Sequence, residues 1–211
     1  MIIRQAHQQG ISVLAELIYA SGPQAFDALF TFNNNDNPQD FLLSALQHKD
    51  GQYGFANHWL ALKNDKILAS VSAWHTELNS DFHQATMRSV VEHFGLEQSI
   101  DVVARSQVVK HFIPAPQAHE WCIGHLAVLP QYQRQGIASQ LLQFMGALAL
   151  QKGKSTLSLD VSQDNLSAIQ FYQQLGFNIE TTSALSPEMQ RLGLTRHLHL
   201  SKLITCQTSL I

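Results

Sequence analysis

Charge is scarce in this chain of 211 residues. Asp, Glu, Lys and Arg make up 14% of it, 13 basic against 16 acidic, for a formal net charge of −3. With a sequence pI near 6.4 there is no basic excess to meet phosphates, so nucleic acid is not an expected partner. No apolar run approaches the ~20 residues that a membrane span needs. The start, Met1-Ile2-Ile3-Arg4-Gln5-Ala6-His7, lacks the basic head and long apolar stretch of a signal peptide. Two cysteines, Cys122 and Cys206, are too few for a disulfide framework. These absences lead us to expect a soluble, cytoplasmic protein with no membrane partner. A hydrophobic content of 45% argues against disorder, and the length suits one domain carrying an insertion.

Hydrophobic spacing gives a coarse element order. Residues 2–6 read as an edge strand. Ile11, Leu14, Leu17 and Ile18 recur at helical spacing until Ser21-Gly22-Pro23 stops them. A polar loop at 33–38 precedes a short helix marked by Phe41, Leu42, Ala45 and Leu46. Residues 55–63 and 66–75 form a hairpin about Asn64-Asp65. The stretch 79–116 loses the strand pattern and reads as a helical insertion, since ~35 residues cannot bury a core of their own. A strongly apolar strand at 120–129 leads to a helix marked by Ile137, Leu141, Phe144, Met145 and Leu148. Then follow a strand at 155–161, a helix from about Asn165 to Leu175, a strand from Phe177 to Thr182 and a last strand at 192–204. The order from 120 to 182, β-α-β-α-β, predicts an α/β sheet.

Two segments carry chemistry. In Gln133-Arg134-Gln135-Gly136-Ile137-Ala138, a buried strand turns into a helix through residues with little or no side chain. The first-turn N–H groups are uncrowded there, and with the helix dipole they make an anion site to which Arg134 adds a cation. No Gly-Lys-Ser/Thr follows, so this is not a Walker loop. About 30 residues on, Asn165-Leu166-Ser167-Ala168-Ile169-Gln170-Phe171-Tyr172 precedes Gly176-Phe177. On a helix, positions 165, 168 and 172 share one face, which would present an amide, a gap and a phenol in line. Taken alone, the first segment is equally an ordinary strand-to-helix turn, and Tyr172 a packed tyrosine with a satisfied hydroxyl.

Together the segments resemble the GNAT (GCN5-related N-acetyltransferase) superfamily. Its phosphate-binding signature, Gln/Arg-x-x-Gly-x-Gly/Ala, matches 133–138. Its later signature, Asn-x-x-Ala-x-x-Phe-Tyr followed by Gly-Phe, matches 165–177 without a departure. Ile3-Arg4-Gln5-Ala6 is similar to the family's first strand. The strong resemblance covers roughly residues 120–180; residues 20–50 and 80–116 match nothing specific.

The resemblance implies an α/β (α+β) fold with a mixed, mostly antiparallel sheet flanked by helices, as one domain over 1–211. It implies acetyl-CoA as cosubstrate, direct attack by a primary amine in a ternary complex, and an arm-binding gap between the family's fourth and fifth strands. In that frame Leu126, Ala127 and Val128 would line the arm, with the Leu126 N–H stabilising the oxyanion. The N–H groups of Gln133, Arg134, Gln135, Gly136, Ile137 and Ala138 would hold the pyrophosphate, and Asn165 and Ala168 would face the pantetheine. Tyr172 would protonate the departing thiolate as general acid.

A general base is less legible. Some relatives carry a glutamate four residues before the position of Leu126, which here is Cys122; the acidic position of others falls on Gly124. Glu120 is the leading candidate, although strand rise puts it roughly 13 Å from position 126. His125 should point to the opposite face, and His75 and Glu77 follow the third strand. A base acting through water, or none, is the remaining alternative, and Cys122 reads as a small buried residue rather than an acyl carrier. His197 and His199 share a strand face without a third metal ligand, so no metal is expected. Trp59, Trp74 and Trp121 read as core, with Trp74 a candidate for the acceptor pocket. The sequence reading is thus an N-acetyltransferase with a small-molecule amine acceptor. The alternatives are a protein amine and a non-catalytic acyl-CoA-binding regulatory module; an O-acetyl acceptor or a longer acyl donor stays open. Family members often pair through sheet edges or C-terminal strands, which makes 192–204 a candidate homodimer surface.

Overall fold

The structure, a computed structural model, describes residues 1–33, 36–110 and 113–205. Cys206 lies outside the described residues. A seven-stranded sheet runs in the order β1 (Ile2–Gln5), β2 (His58–Lys63), β3 (Lys66–Trp74), β4 (Glu120–Val128), β5 (Thr156–Ser162), β7 (His197–Leu203), β6 (Asn178–Thr182). Among the described residues only β4 and β5 pair in parallel; every other neighbour is antiparallel. The mixed, mostly antiparallel sheet read from the sequence is the one observed.

The one parallel pair needs a crossover, and α5 (Ile137–Gln151) supplies it. Ile137, Leu141, Met145 and Ala149 recur at helical spacing and are buried against Trp121, Ile123, Leu157, Leu159 and Val161. Each such leucine or methionine contributes roughly 1.5–3 kcal/mol by leaving water. Helix α6 (Leu166–Gln174) packs on the same cluster through Ala168, Ile169, Phe171 and Tyr172.

The other side of the sheet is covered by α1 (Ile11–Ala20), α2 (Pro23–Phe30), α3 (Pro38–Ala45) and α4 (Ser80–Lys110). Their core is aromatic, built on Phe26, Phe30, Phe41 and Tyr53. Two short helices escaped the sequence reading. Ser21-Gly22-Pro23 ends α1 as expected, and Pro23 also opens α2 at its first turn, where a proline costs nothing. Likewise Ser186 caps α7 (Pro187–Arg191), so the last strand begins at His197 rather than 192. The stretch read as an insertion forms α4, one long helical stretch kinked at Gly95, whose φ of 72° breaks the helix; it packs on α3 and α2. Among the described residues no helix is long and apolar enough to cross a membrane.

Candidate functional site

The parallel pairing of β4 and β5 is short. Glu120 to Ile123 face Thr156 to Leu159, and from Gly124 onward β4 is bonded only to β3. The two strands therefore form a fork that opens toward the C-terminal end of β4. The ladder to β3 ends with the Leu129 N–H donating to the Leu68 carbonyl at 2.9 Å. Antiparallel alternation then points the backbone of Ala127 at β3 and that of Leu126 and Val128 into the fork. The Val128 carbonyl accepts there from the Gln133 side-chain amide at 3.1 Å.

A β-bulge shapes the mouth of the fork. Ser72 pairs with Gly124 and Ser70 with Ala127, so Val71 faces two residues, His125 and Leu126. His125 takes up the extra length with a φ of 47°. This resets the in-out alternation and corrects the sequence expectation for His125. Its ring lies on the same side as Trp74, which is level with Cys122 in the register. The His125 ring sits 5.1 Å from Trp74, 5.3 Å from Phe26, 5.9 Å from His58 and 6.2 Å from Tyr53. Its Nδ1 lies 3.3 Å from the Ser21 hydroxyl, and its Nε2 is buried without a partner among the described residues. Burial pushes the imidazole down to about 4, so it is neutral at physiological pH.

Beyond the fork, a 3-10 turn at Pro130–Tyr132 leads to Arg134 (φ 60°) and Gly136 (φ 75°), and then into α5. Two left-handed residues in three make the turn sharp enough to end at a helix start. A β-carbon at Gly136 would meet nothing within 4 Å, so the backbone there faces open space. The first-turn N–H groups have no intrahelical acceptor. Of the residues expected here, Ile137 contributes a buried side chain to the core. Gln135 turns its amide back to the Gln131 carbonyl at 3.4 Å.

Asn165 stands one residue ahead of α6 rather than within it. It is the N-cap of α6, and its Oδ1 accepts from the Ala168 N–H at 3.2 Å and the Ser167 hydroxyl at 3.1 Å. Its amide N–H₂ makes no hydrogen bond among the described residues. Tyr172 is half-buried against the α5 cluster, 5.6 Å from Phe177. Its hydroxyl has no hydrogen-bond partner among the described residues, and burial pushes the phenol up to about 12. The phenol thus keeps its proton through the neutral range.

Glu120 sits at the closed end of the fork, buried. Its Oε2 accepts from the Gln117 N–H at 2.7 Å, and its Oε1 lies 3.4 Å from His199 Nε2. The fork is therefore not where Glu120 acts directly. Nor do His75 and Glu77 face it. His75 stacks on Trp121 at 4.7 Å, and Glu77 is bonded to Lys154 at 2.7 Å, which holds its carboxyl below the usual range. Cys122 is buried and its thiol is pushed up by burial, which keeps it un-ionised and inert.

A carboxylate that the sequence reading passed over stands at the fork. Asp160 is the first β5 residue beyond the last pair with β4. Its neighbours Leu159 and Val161 point into the α5 cluster, so its own side chain is on the face of Cys122 and Trp74. Oδ1 lies 3.0 Å from His199 Nδ1, and Oδ2 is buried without a partner among the described residues. The available signal was a carboxylate within the alternating strand just before the second signature. His199, weighed beforehand as half of a metal pair, is held by carboxylates, whereas His197 turns to the Thr195 carbonyl at 3.0 Å.

The fork, the open helix start and the phenol fit an acyl-CoA thioester: free backbone groups for an amide-bearing arm, N–H groups for a pyrophosphate, and an unpartnered hydroxyl. Comparison with known proteins gives the family and the fold. The model of the acetyltransferase (GNAT) family matches residues 24–177. A segment of 57 residues is 42% identical to the ribosomal protein bS18-alanine N-acetyltransferase of Escherichia coli K12. That segment is 27% of this chain and 38% of the length of that relative. An N-acetyltransferase from Staphylococcus aureus Mu50 superposes with a TM-score of 0.66 at 17% identity, covering 96% of this chain and all of the other. The yncA protein of Salmonella typhimurium, solved with its cofactor acetyl-CoA, superposes with a TM-score of 0.53 at 13% identity, over 97% and 94% of the two chains.

Proposed function

The chain belongs to the acetyltransferase (GNAT) family, and from that membership we propose that it moves an acetyl group from acetyl-CoA to a primary amine. The observation that carries this reading is the fork itself. Backbone at Leu126 and Val128 that has no β5 partner lies between an open helix start and the unpartnered hydroxyl of Tyr172.

Acetyl-CoA supplies the acyl group and a thiolate leaving group. In the reading proposed, Leu126, Ala127 and Val128 hold the arm in place of a β5 partner, and the Leu126 N–H faces the thioester carbonyl. The N–H groups of residues 133–138 take the pyrophosphate, with the α5 dipole behind them. Asn165 offers its free amide to the arm, and Ala168 leaves it room. Tyr172 hands its proton to the departing sulfur. The free oxygen of Asp160 takes the proton of the attacking amine, so the role first given to Glu120 passes to Asp160. Holding both substrates in one cleft replaces any need for a protein nucleophile.

A small-molecule acceptor suits the aromatic enclosure of Phe26, Tyr53, Trp74 and His125 on the acceptor side. A protein α-amine is the second reading, supported by the local match to the ribosomal protein alanine N-acetyltransferases. We take the chain as one domain in which α4 is the insertion, and as a cytoplasmic enzyme; β7, in the stretch first considered for pairing, is bonded to β5 and β6 on its two sides, which leaves β6 as the strand able to pair there. Calorimetric titration with acetyl-CoA tests the core of this. It should be followed by thiol release with spermidine and with a hexapeptide beginning in alanine. Absence of acetyl-CoA binding by the folded chain overturns the transferase. Binding without turnover, unchanged in a Tyr172→Phe variant, favours a regulatory binding module.

A further inference from the structure

We propose that His199, clamped between two buried carboxylates, is a positioning residue that fixes Asp160 with its free oxygen turned to the acceptor amine. This inference rests on the assignment of Asp160 as the proton acceptor. It arises from a cluster on β4, β5 and β7 that neither family signature contains.

The geometry is specific. His199 Nδ1 lies 3.0 Å from Asp160 Oδ1, and Nε2 lies 3.4 Å from Glu120 Oε1. The side chains of Asp160, Glu120 and His199 are 4%, 6% and 13% exposed. A neutral imidazole carries one N–H and can donate to only one of these oxygens. The second nitrogen would then set a lone pair against a carboxylate. Only the imidazolium donates to both, and it also reduces the charge of the buried group from two negatives to one. The remaining Glu120 oxygen is satisfied by the Gln117 N–H. The remaining Asp160 oxygen is satisfied by nothing among the described residues. An oxygen left bare beside a fully bonded one is what a proton acceptor requires, and its orientation is set by the bond to His199.

The other groups around His199 do not compete for this role. From β6, Glu180 accepts from Ser201 at 2.6 Å. From β4, the Cys122 thiol keeps its proton. His197, on the same strand, is bonded toward Thr195. His119, from the segment before β4, lines the same ~620 Å³ cavity as Glu120, Glu180 and His199. That cavity brings solvent to Glu120 and His199. The His199 imidazole is raised above its ordinary value, first by the bond to Asp160, in keeping with a cation held between the two acids.

NMR titration of the His199 ring in the full chain tests the clamp, with Asp160→Asn and Glu120→Gln alongside the wild type. The expected midpoint lies above 6.5 in the wild type and falls by about one pH unit in each variant. A wild-type midpoint at or below 6.5, or one that neither variant moves, overturns the proposal. The second readout is the pH profile of thiol release with spermidine or the alanine hexapeptide. In Glu120→Gln, an isosteric change, the acid limb should shift with the KM for acetyl-CoA unchanged. A merely structural trio would lower the melting temperature and leave that limb in place, which sinks the inference. The two failures remain separable. If acetyl-CoA does not bind, the transferase reading falls even where the titration is as expected. If acetyl-CoA binds and is turned over while the limb stays fixed, only the role of His199 falls.

Discussion

The Trp74 indole lies directly on the backbone of Gly124. A β-carbon built at Gly124 would come within 1.5 Å of Trp74 Cζ3 and 1.9 Å of Cη2. This contact explains why the position that bears an acid in some relatives cannot bear one here. The space such a carboxylate would use is filled by an indole from β3. Gly124→Ala should therefore displace Trp74 and destabilise the chain by about 1–3 kcal/mol, the usual cost of overpacking. Trp74→Leu added to it should restore most of the melting temperature. A stable Gly124→Ala single variant, unaided, would mean the indole has another place to go.

Gly136 separates backbone conformation from ligand binding. Its φ of 75° suits glycine, yet a side chain would meet no atom within 4 Å. Gly136→Ala should cost about 1–2 kcal/mol of stability for the left-handed backbone and keep acetyl-CoA binding. Gly136→Glu pays the same conformational cost and also sets a carboxylate beside the N–H groups meant for the pyrophosphate. Calorimetry should show binding retained in the first and lost in the second. Equal affinity in both would place the pyrophosphate elsewhere.

Tyr172→Phe removes one oxygen that makes no hydrogen bond among the described residues, so the fold should lose little. If the hydroxyl protonates the thiolate, turnover should fall by about 10²–10⁴-fold, the range of general acid catalysis. Affinity for acetyl-CoA should hold. A parallel fall in affinity and turnover would make the phenol a binding group instead.

Asn165 has two separable jobs, since its Oδ1 caps α6 and its amide N–H₂ is free. Asn165→Ser should keep the cap and lose the donor, so acetyl-CoA affinity falls at unchanged melting temperature. Asn165→Ala should lose both and cost about 1 kcal/mol in stability. If Asn165→Ser binds acetyl-CoA as well as the wild type, the residue is a cap only.

What the sequence disclosed, and what it hid, follows from these particulars. The crossover from β4 through α5 to β5 was legible because its periods are clean and its motif residues are local. Leu126 and Val128 lie beyond the last β4–β5 pair, as their place late in the strand suggested. The bulge at His125 was not legible. One inserted residue inverts every inference about facing, and nothing in Gly124-His125-Leu126 announces it. Asp160 and His199 are 39 residues apart and meet only through the β5–β7 register, in which Asp160 faces His199. Pro23 was read only as part of the stop after α1, yet it also opens α2, because a residue that ends one element can begin the next; the Ser186-Pro187 start of α7 was not read at all.

The buried histidines predict acid lability. Burial holds His58 well below its ordinary 6.5 and pushes His125 down to about 4. The unfolded chain therefore takes up protons near pH 6.5 while the fold still refuses them, and stability drains away as pH falls from 6.5 toward 4. For His125 alone the loss amounts to at most about 3 kcal/mol at 1.36 kcal/mol per pH unit. His75, His93 and His197 are shifted in the same direction. His199 opposes them: its raised value gives stability that is complete below 6.5 and fades as pH rises through the folded value. One histidine cannot offset five, so the melting temperature should drop steadily between pH 6.5 and 4.5. His125→Gln should flatten the lower part of that curve, since the glutamine carries no proton to refuse. A melting temperature constant from pH 7 to 4.5 would show that His58 and His125 find proton-accepting partners on acidification, and that the cluster beneath α1 and α2 is open to water.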